Sequence, residues 1–310
     1  TLSNPKSPIL LPEIKYPTSN MSFSIKPKAR GDEEKIANGL AVMHEEDPTF
    51  IYKVDSELKQ TIISGQGELH LDIALKRISE RFHVELMKET PKVPYRETIT
   101  SKANSKYRHK KQSGGSGQFA EVWLRVTPGE RGSGIEFKES LVGQNVDRSF
   151  VPSVDKGIKA LCEDGIIAGC NVVDLNIDFY DGKMHPVDSN DMAFQIAGKH
   201  AFTDAFKAAK PKLLEPIYKL HVKTPEDYTG DIMGDISQRR GKVSGMDSDG
   251  YYQIINAELP LARLHDYATT LKSITSGEGM FNIEFSHYED MPHAEASKVI
   301  TEYESSRESE

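Results

Sequence analysis

The sequence predicts an α+β chain in which two βαββαβ modules flank a different, central α/β module. Three observations carry that expectation. Residues 61–64 form a β-branched run that passes through Gly65-Gln66-Gly67 into a helix. Its Leu71, Leu75, Ile78 and Phe82 recur at i, i+4, i+7 and i+11, so one apolar stripe lies on one face. The order strand, helix, strand, strand, helix, strand is legible twice, before residue 91 and after residue 215. Between the two copies lie a basic hairpin and a long alanine-rich helix that fit neither.

Residues 1–13 read as a linker, because four prolines fall before residue 18 and no periodicity is present. The first module covers 14–91. Alternation from Met21 to Ile25 makes a strand, and Gly31 to Glu34 opens a helix with Ile36, Leu40 and Met43 inward and Asp32 as its cap. Strands near 49–54 and 60–64 lead into the striped helix, and a strand at 84–87 closes the module. Glu68 and Asp72 near that helix's start, and Lys76, Arg77 and Arg81 toward its end, suit the macrodipole. The order is the ferredoxin-like plan.

The central module covers 92–214. A basic strand at 102–112 turns through glycines into a return strand at 119–126. A helix near 152–162 turns Val154, Ile158 and Leu161 inward, and a strand at 172–180 turns at Asp181-Gly182. The helix at 190–210 buries Ala193, Ile196, Ala197, Ala201, Ala205 and Ala208. The last module covers 215–300. After a strand at 217–222, Thr224-Pro225-Glu226-Asp227 supplies an N-cap, Pro at N1 and first-turn acids. Tyr228, Ile232 and Ile236 form the buried stripe of that helix, and Gly241 stands at C′. A hairpin of 242–246 and 251–259 about Ser248-Asp249-Gly250, a helix at 264–274 and a strand at 280–285 repeat the ferredoxin-like order. Residues 301–310 form an acidic tail expected to fray.

Composition narrows the function. With 39 Lys+Arg against 47 Asp+Glu the net charge is -8, which argues against a protein that coats nucleic acid nonspecifically. RNA contact must come from local patches. There is no apolar run of membrane-spanning length and no secretory start. Cys162 and Cys170 lack CxxC spacing and read as reduced thiols of a cytoplasmic protein.

Between residues 102 and 111 lie Lys102, Lys106, Arg108, Lys110 and Lys111, with Tyr107 and His109 and no acid. Gly114, Gly115, Ser116 and Gly117 follow as a tip whose glycines permit close backbone approach to a phosphate or base. A solvated edge hairpin kept from aggregating by lysines would show the same pattern. His185 sits in a turn, where an imidazole is most often solvated. Gly230 and Gly234 leave a smooth helix face that ends in Gln238, Arg239 and Arg240, which dipole complementarity and packing explain equally well. His287, Glu289, Asp290 and His293 could collect a divalent metal in a hydrolase, but they lack HExxH spacing. No GxxxxGK[ST] loop and no nucleophile–His–acid grouping is readable.

Residues 62–99, IISGQGELHLDIALKRISERFHVELMKETPKVPYRETI, resemble the signature of translation elongation factor G. There SG(M/Q)GELHL runs into the third domain's second helix and then a PxVxYRETI linker, matched at Pro91, Val93, Tyr95, Arg96, Glu97, Thr98 and Ile99. Gln112, Gly114, Gly115, Gly117, Gln118 and Phe119 resemble QTGGRGQ(Y/F), with Ser116 in place of Arg and Ala120 in place of Gly. Tyr180 to Ser189, then Met192, Ala193 and Phe194, resemble YDGxxHxVDSSxMAF. GD(V/I)xGDxxxRRG is matched by Gly230, Asp231, Ile232, Gly234, Asp235, Arg239, Arg240 and Gly241. Ala268 to Ser273 follow ATxLRS, but Ser276-Gly277-Glu278-Gly279 replaces QGRG.

The resemblance implies linker, third, fourth and fifth domains in order, the fourth with a ribosomal-protein-like fold, and the departures imply a paralogue. It implies the ribosome-binding C-terminal half of a translational GTPase, a cytoplasmic monomer acting in tRNA/mRNA translocation or ribosome recycling. GTP and Mg would be held, and GTP hydrolysed, in an N-terminal half, with no cofactor and no catalytic residue in this part. Lys106, Arg108, Lys110, Lys111, Gln112, Gly114, Gly115, Ser116, Gly117, Gln118 and His185 would face the small-subunit decoding region with its ribosomal RNA, tRNA and mRNA. Gly230, Gly234, Arg239 and Arg240 would face the large-subunit stalk base. A binding or regulatory module that keeps the architecture outside translation is the alternative.

Overall fold

The computed structural model describes residues 3–4, 6–9, 12, 14, 16–17, 19–112 and 117–308. The chain divides into two units, one of Thr1–Val93 with Ile217–Ser286, the other of Pro94–Pro216 with His287–Glu310.

The first unit opens with β1 (Met21–Pro27), α1 (Glu33–Glu46), β2 (Ile51–Asp55), β3 (Gln60–Gly65), α2 (Glu68–Phe82) and β4 (Leu86–Glu89). The sheet order β2-β3-β1-β4, antiparallel throughout, is ferredoxin-like. Ile36, Leu40 and Met43 of α1 meet Leu71, Ala74 and Ile78 of α2 over Ile63, while Leu75 and Phe82 rim that core. Asp32 stands before α1, but its carboxylate pairs with Lys35 instead of capping the helix. Gly65 is needed for close approach, since a Cβ there would lie 2.7 Å from His70 Nδ1. His70 Nδ1 accepts the Gln66 N–H at 3.0 Å, which leaves the proton on Nε2 to be donated to Asp47 at 2.9 Å. The Thr49 hydroxyl, with its N–H and His70, outweighs burial and holds the Asp47 carboxyl below its usual value.

The second unit contains β5 (Arg96–Ile99), β6 (Ala103–Lys111), β7 (Gln118–Pro128), β8 (Ile135–Glu139), α3 (Val151–Asp164), β9 (Leu175–Lys183) and α4 (Asp191–Ala208). Its sheet runs β6-β7-β9-β8, antiparallel except for β8 and β9, which are parallel and joined through α3. Val122, Leu124, Ile177 and Phe179 meet Val154 and Ile158 of α3 and Phe194, Ala197, Ala201 and Phe202 of α4. Asn190 caps α4 by accepting the Ala193 N–H. Asp181-Gly182 is not a turn: β9 runs on to Lys183 past a register shift, and Gly182 packs where a Cβ would overlap the Glu121 carbonyl. Cys162 and Cys170 form no disulfide among the described residues. Burial, then the Glu97 charge, pushes the Cys162 thiol up to about 12.

Helices α3 and α4 cross closely at Gly157, where an added Cβ would lie 2.5 Å from the Gln195 carbonyl oxygen. Gly157→Ala is therefore expected to destabilise the second unit by about 1–3 kcal/mol, as overpacking does. A urea midpoint equal to that of the unsubstituted chain would show that the crossing opens without strain.

There follow β10 (Pro211–Pro225), α5 (Thr229–Gln238), β11 (Lys242–Asp249), β12 (Tyr252–Pro260), α6 (Tyr267–Ile274), β13 (Met280–Asp290) and α7 (His293–Glu308). Residues 211–214 of β10 pair with β5, and residues 217–225 pair with β12. The order β11-β12-β10-β13 is ferredoxin-like again. Thr224 does not cap α5. β10 extends to Pro225, a 3₁₀ turn of Glu226–Tyr228 follows, and the helix begins at Thr229. Gly241 is one place beyond C′: Arg240 takes the left-handed conformation (φ 66), and the Gly241 N–H bonds back to the Ile236 carbonyl.

The tail is helical rather than frayed as far as Glu308. Ala296, Val299 and Ile300 of α7 pack on Ala168, Leu213 and Met291 in the second unit, and Gly169 lies under the Tyr303 ring. An apolar stripe at helical spacing overrides the acidic composition that suggested disorder. By packing, His287–Glu310 group with Pro94–Pro216. Among the described residues no helix is long and apolar enough to cross a membrane.

Candidate nucleic-acid interface

Strand parity decides which way the basic hairpin points. Tyr107 and His109 alternate with Lys106, Arg108 and Lys110 along β6, so the two sets take opposite faces. Tyr107 stacks on His200 of α4 at 4.7 Å, on the helix side, which leaves the cations on the open side. His109 Nε2 meets Gln118 Oε1 at 2.9 Å and ties the two arms together beside the loop. Lys111 and Gln112 are exposed. Gly114, Gly115 and Ser116 lie outside the described residues.

The turn that carries His185 is tied to the far arm of that hairpin. Gly117 donates its N–H to Asp188 Oδ1 at 3.1 Å, and the Phe119 N–H bonds to the Asp188 carbonyl at 2.9 Å. Ser189 Oγ accepts from the His185 N–H and donates to the Phe119 carbonyl. His185 is half exposed, and its ring meets Phe119 edge-on. Its Nδ1 accepts the N–H groups of Val187 and Asp188 at 3.3 and 3.2 Å. Nδ1 also lies 3.3 Å from Asp188 Oδ2, and Nε2 has no partner among the described residues.

Not all the cations are free to meet a ligand. Glu121 is fully buried beneath them and receives Arg108 Nε, Trp123 Nε1 at 2.9 Å and Lys106 Nζ at 3.7 Å. Burial raises its pKa, but the Trp123 and Arg108 hydrogen bonds outweigh that and hold it below the ordinary glutamate value. Lys106 and Arg108 thus have a resident counter-charge. Lys110 and Lys111 form no ion pair among the described residues. Sequence reading missed Glu121, Asp188 and Ser189, and only the cross-strand register, in which Glu121 faces Arg108, would have signalled the first.

Among the residues near α5, the two glycines lie open. Gly230 and Gly234 are exposed, and a Cβ on either would meet nothing within 4 Å. Arg239 requires correction as a surface cation. Its side chain is only 13% exposed, and its guanidinium serves Asp235, Asp266, Thr270 and the Arg263 carbonyl. Arg240 is half-buried at the helix end. In the C-terminal segment Asp290 is taken up by Lys212 and Arg131, and His287 pairs with Glu289. Among the described residues no three His, Cys, Asp or Glu side chains converge as metal ligands would.

Three family models match in succession: Elongation Factor G, domain III, over residues 16–89, Elongation factor G, domain IV, over 91–210, and Elongation factor G C-terminus over 212–299. These define the class of protein, a translation elongation factor. Elongation factor G of Ruegeria pomeroyi is 45% identical over 303 residues, which is 98% of this chain and 43% of that protein. A crystal structure of a protein from Thermus thermophilus superposes with a TM-score of 0.83 at 37% identity, over 95% of this chain and 44% of that one. The chain belongs to the elongation factor G family. It spans less than half the length of the relatives it matches.

Proposed function

We propose that this chain is the ribosome-binding portion of a translational GTPase that acts in tRNA/mRNA translocation or ribosome recycling. The observation that carries this reading is the joining of Gly117 and Phe119 to the His185 turn through Asp188 and Ser189. One end of one sheet thereby presents Gly117, lysine charge and the His185 imidazole together. Such an end can enter an RNA-lined cleft: backbone and lysines meet phosphates, and His185 Nε2 donates to a ribose 2′-OH or a base edge. The open Gly230–Gly234 face of α5 is a second surface that can approach RNA or protein closely. No phosphate-binding loop is readable in these residues, and in this reading GTP and Mg would be held by another part of the parent protein. No chemical step is assigned to the chain itself.

Co-sedimentation with ribosomes tests the reading. Replacing Lys106, Arg108, Lys110 and Lys111 together by Ala is expected to weaken binding and to flatten its salt dependence. Each lost phosphate contact lowers the slope of log K against log salt by about 0.7–0.9. The drop should be about 2, because Glu121 already offsets part of the charge on Lys106 and Arg108. Unchanged binding and an unchanged slope would remove the hairpin from the interface, and a chain that never sediments with ribosomes would sink the reading.

A further inference from the structure

Helices α3 and α4 cover only one face of the β6-β7-β9-β8 sheet. The residues on the other face follow from register. Glu121, opposite Arg108, also faces Lys183, and Trp123 faces Lys106. Asp178 faces both Arg125 and Lys138. Arg125, Lys138 and Lys183 therefore join Lys106, Arg108 and Lys110 on this face, against Glu121, Asp178, Glu136 and Asp181, the last opposite Trp123. Glu121 and Asp178 are themselves buried beneath the cations, so the outermost layer is positive in a chain whose net charge is -8.

Two aromatic rings lie among these cations. Trp123 and Tyr180 are half-buried, meet edge to face at 6.1 Å and belong to none of the hydrophobic cores. Trp123 is held by its Nε1–H on Glu121, with Lys106 over its ring at 4.6 Å. Arg125 lies over Tyr180 at 4.9 Å. Both cations are long and about half exposed, so they can swing off the rings and follow a phosphate chain. A base stacked on such a ring is held more firmly than an exposed cation, so the exchange favours the base.

We infer that the open face of this sheet is a platform for single-stranded RNA, with Trp123 and Tyr180 as stacking rings and Lys106, Arg125, Lys138 and Lys183 as phosphate contacts. The inference deepens the ribosome reading and rests on it only for the source of the RNA. It extends the interface from the hairpin end across the sheet. Unstacked bases are required, because a duplex hides the base faces that the rings would take.

Trp123 is the only tryptophan of the chain, so its emission reports on the platform directly. The 310-residue chain is titrated with a single-stranded oligouridylate of about 12 nucleotides, a length within the usual range of such sites. Quenching of that emission is expected, and it should weaken as salt rises. With fluorescently labelled RNA, Trp123→Ala should lose about fivefold or more in affinity while Trp123→Phe stays near the parent. Arg125→Ala with Lys183→Ala should reduce the salt slope by about 1.4, which tests the platform even where the tryptophan variant folds poorly. Emission indifferent to saturating RNA, double-variant binding with the parent's slope, or equally tight binding of a duplex of the same length would overturn the inference. Any of these with ribosome sedimentation intact would leave the proposed function standing.

Discussion

Glu97→Ala should lower the stability of the second unit by about 3–5 kcal/mol, at the top of the range for single substitutions. Glu97 is fully buried on β5, and its carboxylate accepts four backbone N–H groups. Ile166 and Ile167 donate to Oε2 at 2.8 and 3.0 Å, and Ala168 and Cys170 donate to Oε1 at 2.8 and 3.1 Å. The loop so held turns at Gly165 (φ 77) and Gly169 (φ 65), where other residues would be strained. It is also the seat of α7, through Ile167, Ala168 and Cys170. Truncating the carboxylate orphans all four donors at once and loosens that helix. Glu97→Gln keeps the shape but turns an NH₂ toward two of the donors, so it should lose about half as much. Urea unfolding gives the magnitude, and hydrogen exchange at the amides of residues 166–170 locates it. An Ala variant within about 1 kcal/mol of the parent would mean that the loop has another anchor.

Arg239→Ala has the next largest expected effect, about 2–4 kcal/mol in the first unit. The guanidinium is nearly enclosed and fills a fork between Asp235 at 2.8 Å, Asp266 at 2.6 Å, Thr270 at 2.9 Å and the Arg263 carbonyl at 2.7 Å. Its removal leaves Asp235, itself only 15% exposed, without its counter-ion. Asp266 is 74% exposed, so water screens its share, and the total should fall below that of a wholly buried pair. Arg239→Lys keeps the charge but cannot reach all four partners, and should recover little.

The same clamp predicts a pH signature. The Arg239 hydrogen bond, against some burial, holds the Asp266 carboxyl below its ordinary value. A depressed carboxylate contributes stability that is complete above its unfolded pKa, near 4, and is lost as pH falls through the folded value. The melting-temperature gap between the parent and Arg239→Ala should therefore narrow as pH falls below about 4, by the share that Asp266 contributes. A gap that stays constant from neutral pH into acid would refute the clamp.

Much of the architecture was legible because it rests on local periodicity. The stripes of α2 and α3 and the alternation of β1 and β6 follow from neighbours within a turn or two of chain. Strand β8 was missed although Ile135 to Lys138 alternate, because the run is only five residues long and is fixed by parallel pairing with the distant β9. Helix α7 was missed because acidic residues masked a stripe whose value lies in the surface it covers. Within the interface the cations of β6 were visible in sequence. The nearness of Gly117 to the His185 turn, across 71 positions, came only through resemblance to a family.

The amino-acid sequence by itself determined the succession of elements, the two ferredoxin-like modules, the basic hairpin and the family to which the chain belongs. Tertiary structure alone decided which cations face water. Lys110 stays open, Arg108 bends onto a glutamate 13 positions away, and Arg239 turns inward to partners up to 31 positions away. The physical reason is that hydrophobic periodicity is set by residues adjacent along a helix or strand. The partner of a charge is set by whichever distant segment packing brings within hydrogen-bond reach.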